Sequence, residues 1–364
     1  MIAVIKIGTS SLTDDSGEIR HEAIAKLCAE VSGVRSNGDQ VVIVTSGAIG
    51  AGLPALGLGG PNRPTDSKTL QAVSAVGQSR LMAVYSEALA HHGLVCGQVL
   101  LAPLDFVDRR QYLQARGTLL RLLELGVVPI VNENDAVADD EIRFGDNDRI
   151  AALVSHLVDA DVMVLLTDID GLLSADPRLD PSASLIEEII DFDKELESIA
   201  GGPGSPGASG GMASKVSAAR IAAWSGVRTV IAAAHRDNVV ADSVNGVVGV
   251  GTTVLPHDRD LPARKLWIAF AIGSRGVLTV DAGARTALEA GGSSLMLAGV
   301  LSVSGSFDVD DAVEVANESG DIFAKGLVRL NSADTASMLG RASVDLPEGI
   351  APFVIHADDL VILP

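Results

Sequence analysis

Six short runs rich in Val, Ile and Leu punctuate the first 255 residues, at 3–7, 40–45, 95–101, 127–131, 162–167 and 228–233. They are almost continuously apolar rather than alternating. That is the pattern of strands buried on both faces, and hence of a parallel or mostly parallel sheet. Helical patterns separate them, predicted at 22–34, 67–90, 111–125, 148–157 and 214–225. In 111–125 the spacing sets Leu113, Leu119, Leu120 and Leu123 on one face and Gln114, Thr118 and Arg121 on the other, with Arg116 inside the apolar arc. Alternating strands and helices of this kind specify an α/β fold, a three-layer α/β/α sandwich.

Near residue 255 the pattern changes. Pro256-His257-Asp258-Arg259-Asp260-Leu261-Pro262 is charged and flanked by proline, which reads as a linker. Short strands with Gly punctuation are predicted beyond it at 266–272, 277–280, 297–303, 312–316, 353–355 and 360–363, with one helix at 282–290. A chain of 364 residues suits more than one domain. The division expected is 1–255 for the α/β domain, 256–274 for a linker and first strand, and 275–364 for a small β-rich domain. Residues 201–211, rich in Gly, Pro and Ser, are expected to form a mobile loop.

Composition narrows the function. The net charge of −20 is poorly matched to a phosphate backbone or an anionic membrane, and an aromatic content of 3% leaves few platforms for stacking bases. No run of about 18 apolar residues suggests a membrane span, and the N-terminus reads as a strand rather than a signal peptide. A cytoplasmic location is expected. Cys28 and Cys96, the two cysteines, sit in apolar surroundings and read as free thiols.

The polar motifs gather where strands end. Val131-Asn132-Glu133-Asn134-Asp135 and Gly145-Asp146-Asn147-Asp148 flank a short spacer, directly after one apolar run and before another. Such a cluster is either a small-molecule site or a solvated acidic loop. Lys6-Ile7-Gly8-Thr9-Ser10-Ser11 closes the first strand. It could hold a phosphate, or Lys6 could simply reach solvent. Thr45-Ser46-Gly47-Ala48-Ile49-Gly50 closes the second strand and opens a helix, offering either free backbone amides or close packing through small residues. Ser209-Gly210-Gly211-Met212-Ala213-Ser214-Lys215 joins a flexible Gly pair to a helix start and a lysine, without fitting the P-loop pattern. Leu166-Thr167-Asp168 ends another strand in a polar turn. Two lysines, two Gly-rich segments and a carboxylate cluster together suit phosphoryl transfer, which needs positioning and positive charge more than covalent chemistry. The hydrolase string Gly207-Ala208-Ser209-Gly210-Gly211 lacks the preceding buried strand of a nucleophile elbow, and the seven His show no metal-ligand spacing.

These motifs, with Ala75-Val76-Gly77-Gln78-Ser79-Arg80, resemble the amino acid kinase family, specifically its glutamate-phosphorylating members, over nearly the whole chain. The C-terminal stretch around Gly276-Val277-Leu278-Thr279-Val280-Asp281 resembles a PUA domain. The resemblance implies ATP-dependent phosphorylation of the L-glutamate side-chain carboxylate to L-glutamyl 5-phosphate, the first step of L-proline biosynthesis. By matched position, Lys6, Asp148 and Lys215 would be catalytic, the lysines on the transferred phosphoryl and Asp148 orienting them. Ser46, Asp135 and Asn147 would bind glutamate. Lys6, Thr167, Asp168 and Ser209, Gly210, Gly211, Met212, Ala213, Ser214 and Lys215 would bind ATP. Mg²⁺ is implied as cofactor with no residue assigned as its direct ligand, Asp146 being a candidate for organising substrate or metal. Proline is implied as an inhibitor overlapping the glutamate site, and a homo-oligomer is expected. The spacer at 136–144 is the part expected to move when either ligand binds. Departures from the usual pattern are Gly50 for Ala, Ser209 and Ser214 for Thr, and Asp310-Asp311 for a Gly–acidic pair at a turn.

Two rival readings follow. One is a kinase of the same fold acting on N-acetylglutamate, aspartate or a nucleoside monophosphate. The other is an RNA-binding protein acting through the C-terminal domain. There, residues 275–364 carry five Lys/Arg against thirteen Asp/Glu, a balance that repels RNA.

Overall fold

A computed structural model describes the chain except residues 15, 61–62, 103, 138–146, 176–179, 181, 191–210, 258–260, 340–350 and 364. It divides into two units, Met1–Asp260 and Leu261–Pro364.

The first unit is built on an eight-stranded sheet. Its strands are β1 (Ile2–Ile7), β2 (Gln40–Val44), β3 (Cys96–Leu101), β4 (Val128–Glu133), β5 (Val162–Thr167), β6 (Glu188–Ile189), β7 (Arg228–Ala233) and β8 (Gly251–Val254), in the order β3-β4-β2-β1-β5-β7-β8-β6. Pairing is parallel throughout except between β7 and β8. The six apolar runs all became strands. Five are buried as a two-faced strand should be, but β3 lies at the sheet edge and is mostly half-buried.

The helices are α1 (Thr9–Leu12), α2 (His21–Ser36), α3 (Ala48–Gly52), α4 (Ser67–Ala90), α5 (Leu104–Val107), α6 (Arg109–Glu124), α7 (Asn147–Leu157), α8 (Met212–Trp224) and α9 (Val239–Val244). Side-chain caps start the longer ones where the sequence supplies them: Asp66 accepts from the Thr69 amide and Asp108 from the Gln111 amide. On α6, Leu119 and Leu123 are buried, but Leu113 is 53% exposed, contrary to the expected face. Arg116, inside that arc, instead pairs with Asp159. The buried cluster joining α2, α4 and α9 to the sheet includes Ile5, Ile24, Leu27, Ile43, Leu81, Tyr85 and Val164. Burial in it pushes the Cys28 thiol up to about 12, so this sulfur is inert as a nucleophile.

Helix α4 comes down on α3 with backbone against backbone. A Cβ added to Gly77 would lie 1.7 Å from the Ala48 carbonyl oxygen, and one on Gly52 2.1 Å from that of Val73. Gly77→Ala should therefore force the helices apart and lower stability by about 1–3 kcal/mol, read from the urea midpoint. An unshifted midpoint would mean that α4 slides freely. The Gly50 departure has a similar cause: a Cβ there would meet Thr13 Oγ1 at 3.2 Å, so Thr13 fills the space a methyl would take.

The second unit has a six-stranded sheet, β9 (Gly276–Val280), β10 (Leu295–Met296), β11 (Val300–Gly305), β12 (Ala312–Ala316), β13 (Ile322–Val328) and β14 (Phe353–Ile362), ordered β10-β14-β13-β12-β9-β11. Leu278, Val280, Val313, Val315, Val354 and Ile355 are in its core. Four expectations are corrected here. The strand expected at 266–272 is helical: α10 (Ala263–Leu266) runs into a π-helical turn, Trp267–Ala271. A short, wholly apolar run carries no period to separate strand from helix, and Pro262 favours a helix start. The strand expected from 297 begins at Val300, after a 3-10 turn at Leu297–Gly299. The two strands expected at 353–355 and 360–363 are one, whose polar middle falls at a register shift in the pairing with β13. Strand β13 was not anticipated, because Lys325-Gly326 interrupts its apolar run. At the turn where a Gly–acidic pair is usual, Asp310 takes φ 70°, a left-handed conformation that Asp tolerates better than most residues. The mobile loop expected at 201–211 lies outside the described residues but for Gly211.

Candidate active site

Strands β4, β2, β1 and β5 are neighbours, and the residues at their carboxyl ends meet in one cleft. This is the crevice of an open α/β sheet where chain order reverses on either side of β1, the usual position of a ligand site. The cleft encloses about 1030 Å³, and Lys6, Ser46, Asp135, Asn147, Thr167 and Lys215 all line it.

Its buried end is a three-residue charge cluster. Lys6 is the penultimate residue of β1, Asp148 lies in the first turn of α7, and Lys215 lies in the first turn of α8. Lys6 Nζ is 2.5 Å from Asp148 Oδ1 and Lys215 Nζ is 3.3 Å from Asp148 Oδ2, with side-chain exposures of 5%, 0% and 7% for Lys6, Asp148 and Lys215. Ser214 Oγ donates to Asp148 Oδ2 at 2.9 Å and also reaches the Gly211 carbonyl, tying the start of α8 to α7. Burial alone would push the Asp148 carboxyl up. The charges of Lys6 and Lys215, with hydrogen bonds from Lys6 and Ser214, outweigh it and hold the group below the usual carboxylate range. The α7 dipole acts in the same direction. Lys6 therefore does not run out to solvent, as a strand-end lysine often does.

A second group faces it. Asn147 Nδ2 donates to Ser46 Oγ at 3.0 Å, while Asn147 Oδ1 is buried and has no hydrogen-bond partner among the described residues. Gly47, with φ 90°, turns the chain from β2 into α3 directly after Ser46. Asp135 accepts from Ser74 Oγ at 2.6 Å. At the end of β5, Thr167 Oγ1 donates to Asp168 Oδ1 at 3.0 Å, and both residues line the cleft. Gly211, Met212 and Ala213 lead into α8 beside Lys215. Ser209, Gly210 and Asp146 lie outside the described residues, as does the expected moving spacer beyond residue 137.

Sequence reasoning did not reach several cleft residues. Arg20, Arg63, Asp14 and Thr13 line it, and the buried Asn132 and Glu133 stand beside Asp135 without an assigned role. Ser74 was also missed. Its one signal is a hydroxyl one turn before Gly77, on a helix face that otherwise packs.

Two buried ammonium groups that share the Asp148 carboxylate stand at the head of the cleft, an arrangement suited to enzymes that handle phosphoryl groups. Its sequence says which. Residues 1–233 match the model of the amino acid kinase family and residues 276–350 that of the PUA domain. The chain is 43% identical over 365 residues to the glutamate 5-kinase of Citrifermentans bemidjiense, covering 99% of this chain and 97% of that protein. It is 42% identical over 368 residues to that of Caldanaerobacter subterraneus subsp. tengcongensis, covering 100% and 98%. The glutamate 5-kinase of Burkholderia thailandensis is 42% identical over 364 residues, covering 99% and 97%. The chain belongs to the amino acid kinase family and is a kinase.

Proposed function

We infer that this chain is an ATP-dependent glutamate 5-kinase: it transfers the γ-phosphoryl of ATP to the side-chain carboxylate of L-glutamate, opening proline synthesis. The observation that carries the reading is the buried Lys6–Asp148–Lys215 cluster beside a cleft whose opposite wall is rich in hydrogen-bond acceptors. A carboxylate oxygen of glutamate attacks the γ-phosphorus; the new O–P bond forms as the bond to the β-phosphate oxygen breaks, and ADP leaves. The nucleophile is already an anion, so no strong general base is needed. Lys6 and Lys215 stabilise charge on the transferring oxygens, and Asp148 holds both ammonium groups at the spacing the phosphoryl requires. Thr167, Asp168 and the Ser209–Lys215 segment (residues 209–215) hold the nucleotide.

Ser46, Asp135 and Asn147 hold glutamate. The Asp135 carboxylate and Asn147 Oδ1, which has no partner among the described residues, are acceptors suited to the N–H donors of a free α-ammonium. An N-acylated substrate offers one N–H and no charge. This favours glutamate over N-acetylglutamate. Mg²⁺ fits as an ion borne mainly by the nucleotide phosphates: among the described residues no group of three or more His, Cys, Asp or Glu converges as a cage, and Asp148 is committed to the lysines. When bound it neutralises phosphate charge, and Asp146 is the residue proposed to organise it. Proline fits as a competitor for the site of Asp135 and Asn147. A cytoplasmic homo-oligomer is the proposed state. Among the described residues no helix is long and apolar enough to cross a membrane.

Acyl phosphate trapped with hydroxylamine tests the reading. Glutamate should give hydroxamate with kcat/KM at least about 100-fold above that for N-acetylglutamate or aspartate, and proline should raise the apparent KM for glutamate. Hydroxamate from another acid but not from glutamate would overturn it.

A further inference from the structure

Ser74 is a polar residue inside α4, 2% exposed. A serine inside a helix commonly returns its hydroxyl to a carbonyl one turn back. Here its hydroxyl donates to Asp135 Oδ2 at 2.6 Å. The direction is fixed, since an ionised carboxylate only accepts and a hydroxyl has a single proton to give. The short distance is that of a charge-assisted bond, with the Ser74 end buried and the Asp135 end partly open to the cleft.

We propose that Ser74 is a positioning residue of the glutamate site, holding Asp135 in the orientation that receives the substrate ammonium. Asp135 needs such a hold. It follows β4 in a turn rather than in the strand, and it is only partly buried. Helix α4 supplies a fixed reference because it is locked to α3 on both sides of Ser74. Val73 lies against Gly52, and Gly77 lies against Ala48, at separations that leave no room for a Cβ. The same α3 continues from Ser46, which accepts from Asn147. One helix contact thus sets Ser46 and, through Ser74, Asp135 in a common frame. The two sides of the ammonium site are then spaced by backbone packing rather than by side-chain freedom.

The inference rests on the glutamate kinase reading, and its test separates the two. Ser74→Ala should raise the KM for glutamate about tenfold while kcat stays within about twofold, with the KM for ATP unchanged. A cycle with Asp135→Ala shows whether the effect runs through Asp135. Ser74→Ala should lower kcat/KM for glutamate about tenfold in the native background and less than about twofold when Asp135 is already gone. Equal losses in both backgrounds, a loss carried by kcat, or no loss at all would each overturn the role of Ser74 while leaving the kinase reading intact. Native enzyme that phosphorylates no glutamate would overturn both.

Discussion

Lys215→Ala should lower kcat by about 10²–10³-fold or more, while the KM for glutamate changes by less than about threefold. The cluster geometry gives the reason for this asymmetry. Lys215, in the first turn of α8, meets Asp148 Oδ2 while Lys6 meets Oδ1, and in the proposed reaction its charge acts on the transferred phosphoryl. The acceptor groups are held elsewhere: Asn147 donates to Ser46, and Asp135 accepts from Ser74 on α4. An interaction realised on the transferring oxygens, and absent from bound glutamate, lowers kcat and kcat/KM together when removed. The fold should survive the change. Asp148 keeps Lys6 at 2.5 Å and Ser214 at 2.9 Å, so its buried carboxylate stays paired. Steady-state kinetics on protein with an unshifted urea midpoint check this. An unchanged kcat with weakened glutamate binding would place Lys215 in the acceptor site instead.

The sheet was legible because burial on both faces writes itself into sequence as unbroken Val/Ile/Leu runs, and the ends of those runs locate the site. Lys6 and Thr167 stand at such ends, and Asp148 and Lys215 at helix starts, so their neighbourhood could be read from pattern. Their roles could be read only through family resemblance. What failed did so for local reasons. The run 266–272 has no period, and β13 is broken by Lys325, whose buried ammonium bonds to the Ile272 carbonyl. Leu113 obeys the helical spacing of α6, yet the sheet covers less of that helix than an amphipathic face assumes. Ser74 was unreadable for a different reason. Its partner Asp135 lies 61 residues on in another element, and nothing in either segment marks the pairing. Contacts across elements follow from packing, and here from two glycines whose missing side chains let α4 approach α3.

Asp148→Asn should abolish more than catalysis. The native carboxylate is fully buried between two ammonium groups, whose charges hold it below the usual carboxylate range. Removing that charge leaves Lys6 and Lys215 buried, close together and without their shared counter-ion. Breaking a buried pair by losing one partner costs about 3–5 kcal/mol, and here two cations are affected. Even molecules that stay folded should turn over at least about 100-fold more slowly, because the lysines would repel each other from the spacing that Asp148 set. The variant differs in this from Lys215→Ala, which loses rate but keeps its charges paired. The pH dependence separates charge from shape. A carboxyl whose folded pKa lies below its unfolded value of about 3.9 contributes stability that is fully present above that value and is lost as pH falls through the folded pKa. The stability gap between native protein and Asp148→Asn should therefore be constant from pH 7 down to about 4 and narrow below it, as the native Asp148 also becomes neutral. Urea midpoints measured across that range decide the point. A gap that persists undiminished in acid would mean that the cost of the substitution is steric, and that Asp148 does not act through its charge.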